Sequence, residues 1–273
     1  MTVQAIGNRA IGYLLARLPP QVLEGLASIP LLGRLTRRLS HALSPPGRRV
    51  WVKVTAGPVA GLKMKLDTRY EHAFWRGTYE LELYDRLQSI LAPGAVVYDV
   101  GAHSGYFTLA AARLVGPEGH IYAFEPDRVN AQRLEEHLQV NRIANVTLVS
   151  KAVWSRSGEI AFAVDETHFD RSYGRAGAGP ATVEAITLDA FSAGERAPAL
   201  IKIDVEGGEC EVLRGAATLL DASAPMVLCE IHAEGDEHTK SGDARARLLE
   251  QGYVLEDLAP GREPAHILAV RFR

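Results

Sequence analysis

From about residue 95 onward the chain repeats one theme. A short apolar run is followed by a turn and then by a stretch with apolar residues at helical spacing. AVVYDV (95–100), HIYAFE (120–125), VTLVSKAV (146–153), LIKIDV (200–205) and PMVLCEIH (225–232) read as five buried strands. Helices are predicted through Leu114, over 126–141, from the fourth strand to about Leu220, and over 241–251. Strands and helices in alternation imply a mostly parallel sheet covered on both faces. YVLEDL (253–258) and HILAVRF (266–272) bring the strands to seven. The loop between these two is too short for a parallel crossover, so they are expected to run antiparallel. EIAFAV (159–164) and ATVEAIT (181–187) interrupt the alternation. They are expected to form a hairpin inserted above the sheet, with a mobile glycine-rich link over 174–179.

Before the core, WVKVT (51–55) and LKMKL (62–66) alternate apolar and polar residues around Gly57-Pro58, a hairpin pattern, and 78–91 reads as a helix. Residues 3–17 and 21–40 read as two amphipathic helices divided by Pro19-Pro20, with a linker at 44–47. The expected division is a basic helical extension over 1–50 and a folded body over 51–273. Within the body, 51–92 supply the hairpin and helix and 93–273 the core.

Charge sharpens that division. The chain carries a net charge of −3, but residues 1–50 hold seven Arg, no Lys and one acid, Glu24. The remainder holds 23 basic and 32 acidic residues, a balance of −9. An acidic body without a basic, aromatic stripe argues against nucleic acid as partner. The basic arm over residues 1–45 admits three roles: a helical lid, a dimer contact giving a homo-oligomer, or peripheral contact with an anionic membrane surface. No stretch approaches the roughly 20 consecutive apolar residues of a membrane span. Cys210 and Cys229 belong to no CxxC or Cys/His cluster. They are expected to be reduced, buried thiols of a cytoplasmic protein.

The candidate chemistry begins at Asp99-Val100-Gly101-Ala102-His103-Ser104-Gly105, which follows the first core strand and opens a helix. Two glycines would let backbone approach a ligand closely, and a helix N-terminus offers N–H groups. The second strand ends in Phe124-Glu125-Pro126, where a carboxylate can accept hydrogen bonds from both hydroxyls of a ribose. Together they point to an adenosine-type cofactor. The spacing GxxxG is not the GxGxxG of a dinucleotide site, which weighs against a nicotinamide-dependent oxidoreductase. A non-catalytic adenosine-binding protein is the other alternative. Asp99, just before the glycines, suits a cofactor with a cationic amino-acid tail.

With these motifs the chain resembles the FkbM family of methyltransferases over about residues 50 to 258. The resemblance rests on GTYELE (77–82), VVYDVGAHSGYFTL (96–109), AFEPD (123–127), VSKAVW (149–154), ITLDAF (186–191), LIKIDVEGGECEVLRGA (200–216) and CEIH (229–232). It implies a Rossmann-like class I methyltransferase fold, S-adenosylmethionine as methyl donor, and a hydroxyl of a glycan or other small-molecule secondary metabolite as acceptor. Carried onto this sequence, it implies cofactor contacts at Asp99, Gly101, Gly105 and Glu125, with Ala152 at the adenine and Asp204 at the methionine end. In the GTYE segment, Glu80 is implied at the cofactor's amino group, with Tyr79 and Trp75 flooring the acceptor pocket. His103 stands where the family more often has Asn, and it retains a hydrogen-bond donor.

Methyl transfer to a hydroxyl needs alignment of three atoms and removal of one proton. If the fourth strand stays extended, Lys202, Asp204 and Glu206 share one face, and on the fifth strand Glu230 and His232 do. Asp204, Glu206, Glu230 and His232 are therefore expected to converge as catalytic residues, with Lys202 paired to Glu230 deeper down. His232 is the preferred base and Glu206 the second choice. Three carboxylates and an imidazole could hold a divalent metal, but nothing in the spacing requires one.

Overall fold

The computed structural model describes residues 49–67, 70–165, 173–177, 179–231, 242–258, 260–261 and 264–272. The two helices and linker expected within 1–48 lie outside the described residues. The described chain begins with strand β1 (Arg49–Lys53), which pairs antiparallel with β2 (Lys63–Asp67) as the hairpin pattern predicts. Two short helices follow, α1 (His72–Arg76) and α2 (Leu81–Ile90). The helix read as 78–91 begins only at Leu81, because Glu80 adopts a left-handed conformation (φ +47°).

The core alternates β3 (Val96–Val100), α3 (Tyr106–Val115), β4 (His120–Phe124), α4 (Arg128–Asn141) and β5 (Val146–Val149). β3 is buried along its whole length, as befits a central strand covered on both faces. Asp127 starts α4 by accepting a hydrogen bond from the Asn130 N–H, a side-chain N-cap. Then come β6 (Ala152–Val153), β7 (Gly158–Asp165), β8 (Tyr173–Ala176), β9 (Ala181–Ile186) and α5 (Leu188–Ser192). The core resumes with β10 (Leu200–Ile203), α6 (Glu209–Arg214), α7 (Ala217–Ser223), β11 (Met226–Ile231), α8 (Gly242–Glu250), β12 (Val254–Asp257) and β13 (Ala265–Val270).

Seven strands form one sheet in the order β12-β13-β11-β10-β3-β4-β5. The five central and distal strands are parallel, and β13 runs antiparallel to both β11 and β12. Two apolar layers sandwich the sheet, one built on α2 and α3 with the hairpin, the other on α6, α7 and α8.

Four expectations change. VTLVSKAV is not one strand: Val146–Val149 pairs with β4 and Ala152–Val153 with β9, in different sheets, separated at a tight turn where the Lys151 N–H donates to the Val149 carbonyl. The inserted hairpin is part of a four-stranded sheet ordered β6-β9-β7-β8. The start of the expected glycine-rich link is strand β8, paired antiparallel with β7. The helix read as running to Leu220 divides at Gly215-Ala216. There the Gly215 carbonyl accepts from the Asp189 N–H, and the Asp189 carboxylate accepts from the Thr218 and Leu219 N–H groups at the start of α7. Both cysteines are buried free thiols. Among the described residues no helix is long and apolar enough to cross a membrane.

Candidate active site

A cavity of about 1210 Å³, counting its open mouth, lies at the carboxyl ends of β3, β4 and β10. Open α/β sheets bind ligands at this edge. Four parts of the chain wall it: the segment from Tyr70 to Tyr84, the turn from Val100 to His103, Phe124 to Pro126, and Val205 with its neighbours. Lys151, Ala152 and Val153 close one end, and Phe162 and Ala176 bring the inserted sheet against it.

Glu125 directly follows β4 inside this cavity, 5% exposed. Its Oε2 accepts from the His103 N–H at 2.7 Å and its Oε1 from the Asp127 N–H at 2.8 Å. Each oxygen thus spends one acceptor site and keeps another. Burial pushes the carboxyl up to about 8, outweighing those two N–H bonds, which favour the anion. His103, held at φ +50°, lines the cavity and uses its backbone to orient Glu125.

The glycines do something the sequence did not convey. A Cβ on Gly101 would meet the Asp204 carbonyl oxygen at 1.8 Å, and one on Gly105 would meet Leu134 Cδ1 at 2.3 Å. Both sit at positive φ. Their missing side chains make room for the protein itself, letting the turn after β3 pack onto the end of β10 and onto α4. Gly101 lines the cavity, whereas Gly105 caps α3 behind it.

Asp99 also lies behind the wall rather than in it. It is fully buried, its Oδ2 accepts from the Thr108 hydroxyl at 2.5 Å, and its Oδ1 lies 3.5 Å from Lys202 Nζ. Lys202 donates to the Gly101 carbonyl (3.0 Å) and pairs with Asp204 (3.1 Å). Burial would discharge the ammonium, but Asp204 and Asp99 outweigh it and hold its pKa above the ordinary lysine value. One cation therefore ties the cofactor-type turn to the end of β10. The expected Lys202–Glu230 pair does not form, because β10 and β11 run parallel with Lys202 level with Leu228, and two nearer carboxylates satisfy the ammonium.

Asp204 and Glu206 both line the cavity, but not by strand alternation. β10 ends at Ile203, and Glu206 turns inward at φ +56°. Glu230 is placed differently. Directly across from it on β13 stands His266, a residue to which the sequence reading gave no task. His266 Nε2 lies 3.2 Å from Glu230 Oε2 and 3.4 Å from Glu80 Oε1. Burial lowers the imidazole's proton affinity, yet the two carboxylates raise it further, to about 9. The only available signal was the antiparallel register of two strands, which needs the tertiary pairing. Glu80 also lines the cavity, so this trio reaches its wall. His232 lies outside the described residues.

Ala152 and Tyr79 both line the cavity. Trp75 does not reach it and packs on the core beside the hairpin. The aromatic wall instead combines Tyr79 with Phe74, Tyr84, Tyr106 and Phe107. Phe74 stacks on Tyr106 at 4.9 Å, and Tyr79 meets Phe74 edge-on at 4.6 Å. Burial raises all three tyrosine phenols, Tyr106 to about 12, so none is a base near neutrality.

Two buried polar contacts brace the wall. Arg133 on α4 pairs with Glu71 at 2.7 Å, and Glu71 also accepts from the Asp67 N–H. His137 bonds Ser104 O through Nδ1 and Lys65 N through Nε2, joining β2, α4 and the glycine turn.

The family model described as "Methyltransferase FkbM domain" matches residues 99–255. A hexuronic acid methyltransferase, AglP of Haloferax volcanii, is 31% identical over 143 residues, 52% of this chain and 57% of that protein. A protein-L-isoaspartate O-methyltransferase of Ignicoccus hospitalis is 42% identical over 59 residues, 22% of this chain and 28% of that one. The matches thus span about half or less of these relatives. The solved structure of an FkbM methyltransferase from Methylobacillus flagellatus aligns with a TM-score of 0.46 at 17% identity, over 74% of this chain and 54% of that one.

Proposed function

Because the chain belongs to the FkbM methyltransferase domain family, we propose that it transfers the methyl group of S-adenosylmethionine to a hydroxyl of a glycan or secondary metabolite. S-adenosylmethionine is the cofactor of this family, and when bound it supplies a methyl group already activated on a sulfonium. The donor set suits it. Glu125 keeps one acceptor site on each oxygen for two adjacent ribose hydroxyls, and Ala152, Val153 and Phe124 offer an apolar slot beside it. Gly101, His103 and Asp204 complete the cofactor side. Asp99 and Gly105 contribute by holding the turn, from behind the wall.

The residues at the other end then have two tasks, alignment and proton removal. Lys202 holds Asp204 at the cavity. Glu206 faces the cavity from the turn after β10, and it shares the role of candidate base with His232. The acidic lining at Glu80, Asp204 and Glu206 suits hydroxyl donors and opposes a polyanion such as nucleic acid. The relative named for hexuronic acid supports a sugar as acceptor. The buried free thiols are in keeping with a reducing, cytoplasmic setting.

The observation that carries this reading is the buried carboxylate of Glu125 inside the cavity. Isothermal titration of the full chain with S-adenosylmethionine and with NAD tests it. Binding of S-adenosylmethionine is expected, weakened at least tenfold by Glu125→Ala. Affinity should rise from pH 6 to 8 with release of protons, since hydroxyl donors favour the ionised carboxyl. Binding of NAD alone would overturn the cofactor. For the base, Glu206→Gln and His232→Ala are compared. At least one should lower the turnover number while leaving cofactor affinity intact, and unchanged turnover in both rejects the assignment.

A further inference from the structure

We propose that Glu80, Glu230 and His266 form a binding site for one divalent transition-metal cation of the zinc or manganese class. This inference does not depend on the methyl-transfer reading, and it gives Glu80 and Glu230 a task other than those implied by sequence.

The three side chains come from distant parts of the chain. Glu80 is on the turn before α2, while Glu230 and His266 are registered partners on β11 and β13. Their ligand atoms lie within 4.8 Å of one another, and among the described residues no other trio of His, Cys, Asp and Glu does so. The two separations from the imidazole nitrogen are those of a coordination sphere. A cation about 2.0–2.2 Å from each ligand atom sets neighbouring ligands about 2.8–3.1 Å apart in an octahedron and about 3.3–3.6 Å apart in a tetrahedron. The observed values from His266 Nε2 are 3.2 and 3.4 Å.

The orientation of the imidazole is the independent observation. His266 is 6% exposed, and its Nε2 is buried with no aligned hydrogen-bond acceptor, although two carboxylate oxygens stand beside it. The nitrogen stands 3.2 Å from one oxygen of Glu230 and 3.4 Å from one oxygen of Glu80. A cation there would displace the imidazole proton into solvent, take up the nitrogen lone pair and neutralise both carboxylates at once, giving a net charge of zero in a largely buried setting.

The donor set, one imidazole nitrogen and two carboxylate oxygens, is one that zinc and manganese accept and that lacks the all-oxygen shell preferred by calcium. Three protein ligands leave a coordination position open, as in catalytic metal sites. Glu80 lines the cavity, so the site borders it.

The untagged full chain, stripped with a chelator, is titrated with Mn²⁺ while free Mn²⁺ is followed by electron paramagnetic resonance. Zn²⁺ binding is measured in parallel by calorimetry. One site per chain is expected, with at least tenfold weaker binding in Glu80→Gln and in Glu230→Gln. These near-isosteric variants keep the side-chain shape, and far-ultraviolet circular dichroism checks that each remains folded. His266→Gln should abolish the same site. Absence of stoichiometric binding up to millimolar metal overturns the proposal and leaves an imidazolium bridging two carboxylates. Binding that is unaltered in all three folded variants overturns it too, since the metal then sits elsewhere.

Discussion

Acidification should loosen the wall of the cavity through a single histidine. His137 is fully buried, its Nδ1 bonded to the Ser104 carbonyl and its Nε2 to the Lys65 N–H. The carbonyl can only accept and the N–H can only donate, so the ring must be neutral with its proton on Nδ1. Burial depresses its pKa from 6.5 to about 4. The unfolded chain therefore binds this proton first as pH falls. The stability held by the neutral ring is intact above about 6.5 and is lost progressively down to about 4. A shift of that size corresponds to about 3 kcal/mol in full, of which about 2 kcal/mol is gone between pH 7.5 and pH 5. His137→Gln isolates the effect, because a glutamine amide can donate to Ser104 and accept from Lys65 without titrating. Urea unfolding followed by tryptophan fluorescence at pH 7.5, 6.5, 5.5 and 5.0 measures both proteins. The wild-type chain should lose about 2 kcal/mol more than the variant over that range, since the other titrating groups cancel in the difference. Parallel pH dependences, agreeing within about 0.5 kcal/mol, would refute the neutral-bridge argument.

The two turn glycines should differ in cost. Gly101→Ala sets a Cβ against backbone that cannot yield, at positive φ, and should cost more than about 3 kcal/mol in thermal or urea unfolding. Gly105→Ala meets the end of the Leu134 side chain and should cost about 1–3 kcal/mol. The reverse order would contradict the packing described. Arg133→Met strands the buried Glu71 carboxylate and should cost about 3–5 kcal/mol, most of it recovered in the double variant with Glu71→Gln. A double-mutant cycle in urea measures the coupling, and an additive result would deny the ion pair its role.

Local pattern alone reached far in this chain. The apolar runs at 95–100, 120–125, 200–205 and 225–232 could be read as strands because a central strand covered on both faces has no polar option. The antiparallel close of the sheet followed from loop length. The family and its donor were legible because the motifs around Asp99, Glu125 and Asp204 are contiguous stretches. What stayed hidden depended on contacts between stretches. Lys202 chose Asp99 and Asp204 over Glu230 because parallel register and distance decide an ion pair, and neither is written in spacing. VTLVSKAV divided between two sheets because each half found a different partner strand. Gly101 and Gly105 serve packing against Asp204 and Leu134, residues far along the chain. His266 acquired neighbours only when β13 folded back beside β11 and the turn at Glu80 closed over both. Periodicity reports which face of an element is dry; only the assembled chain decides which charges share it.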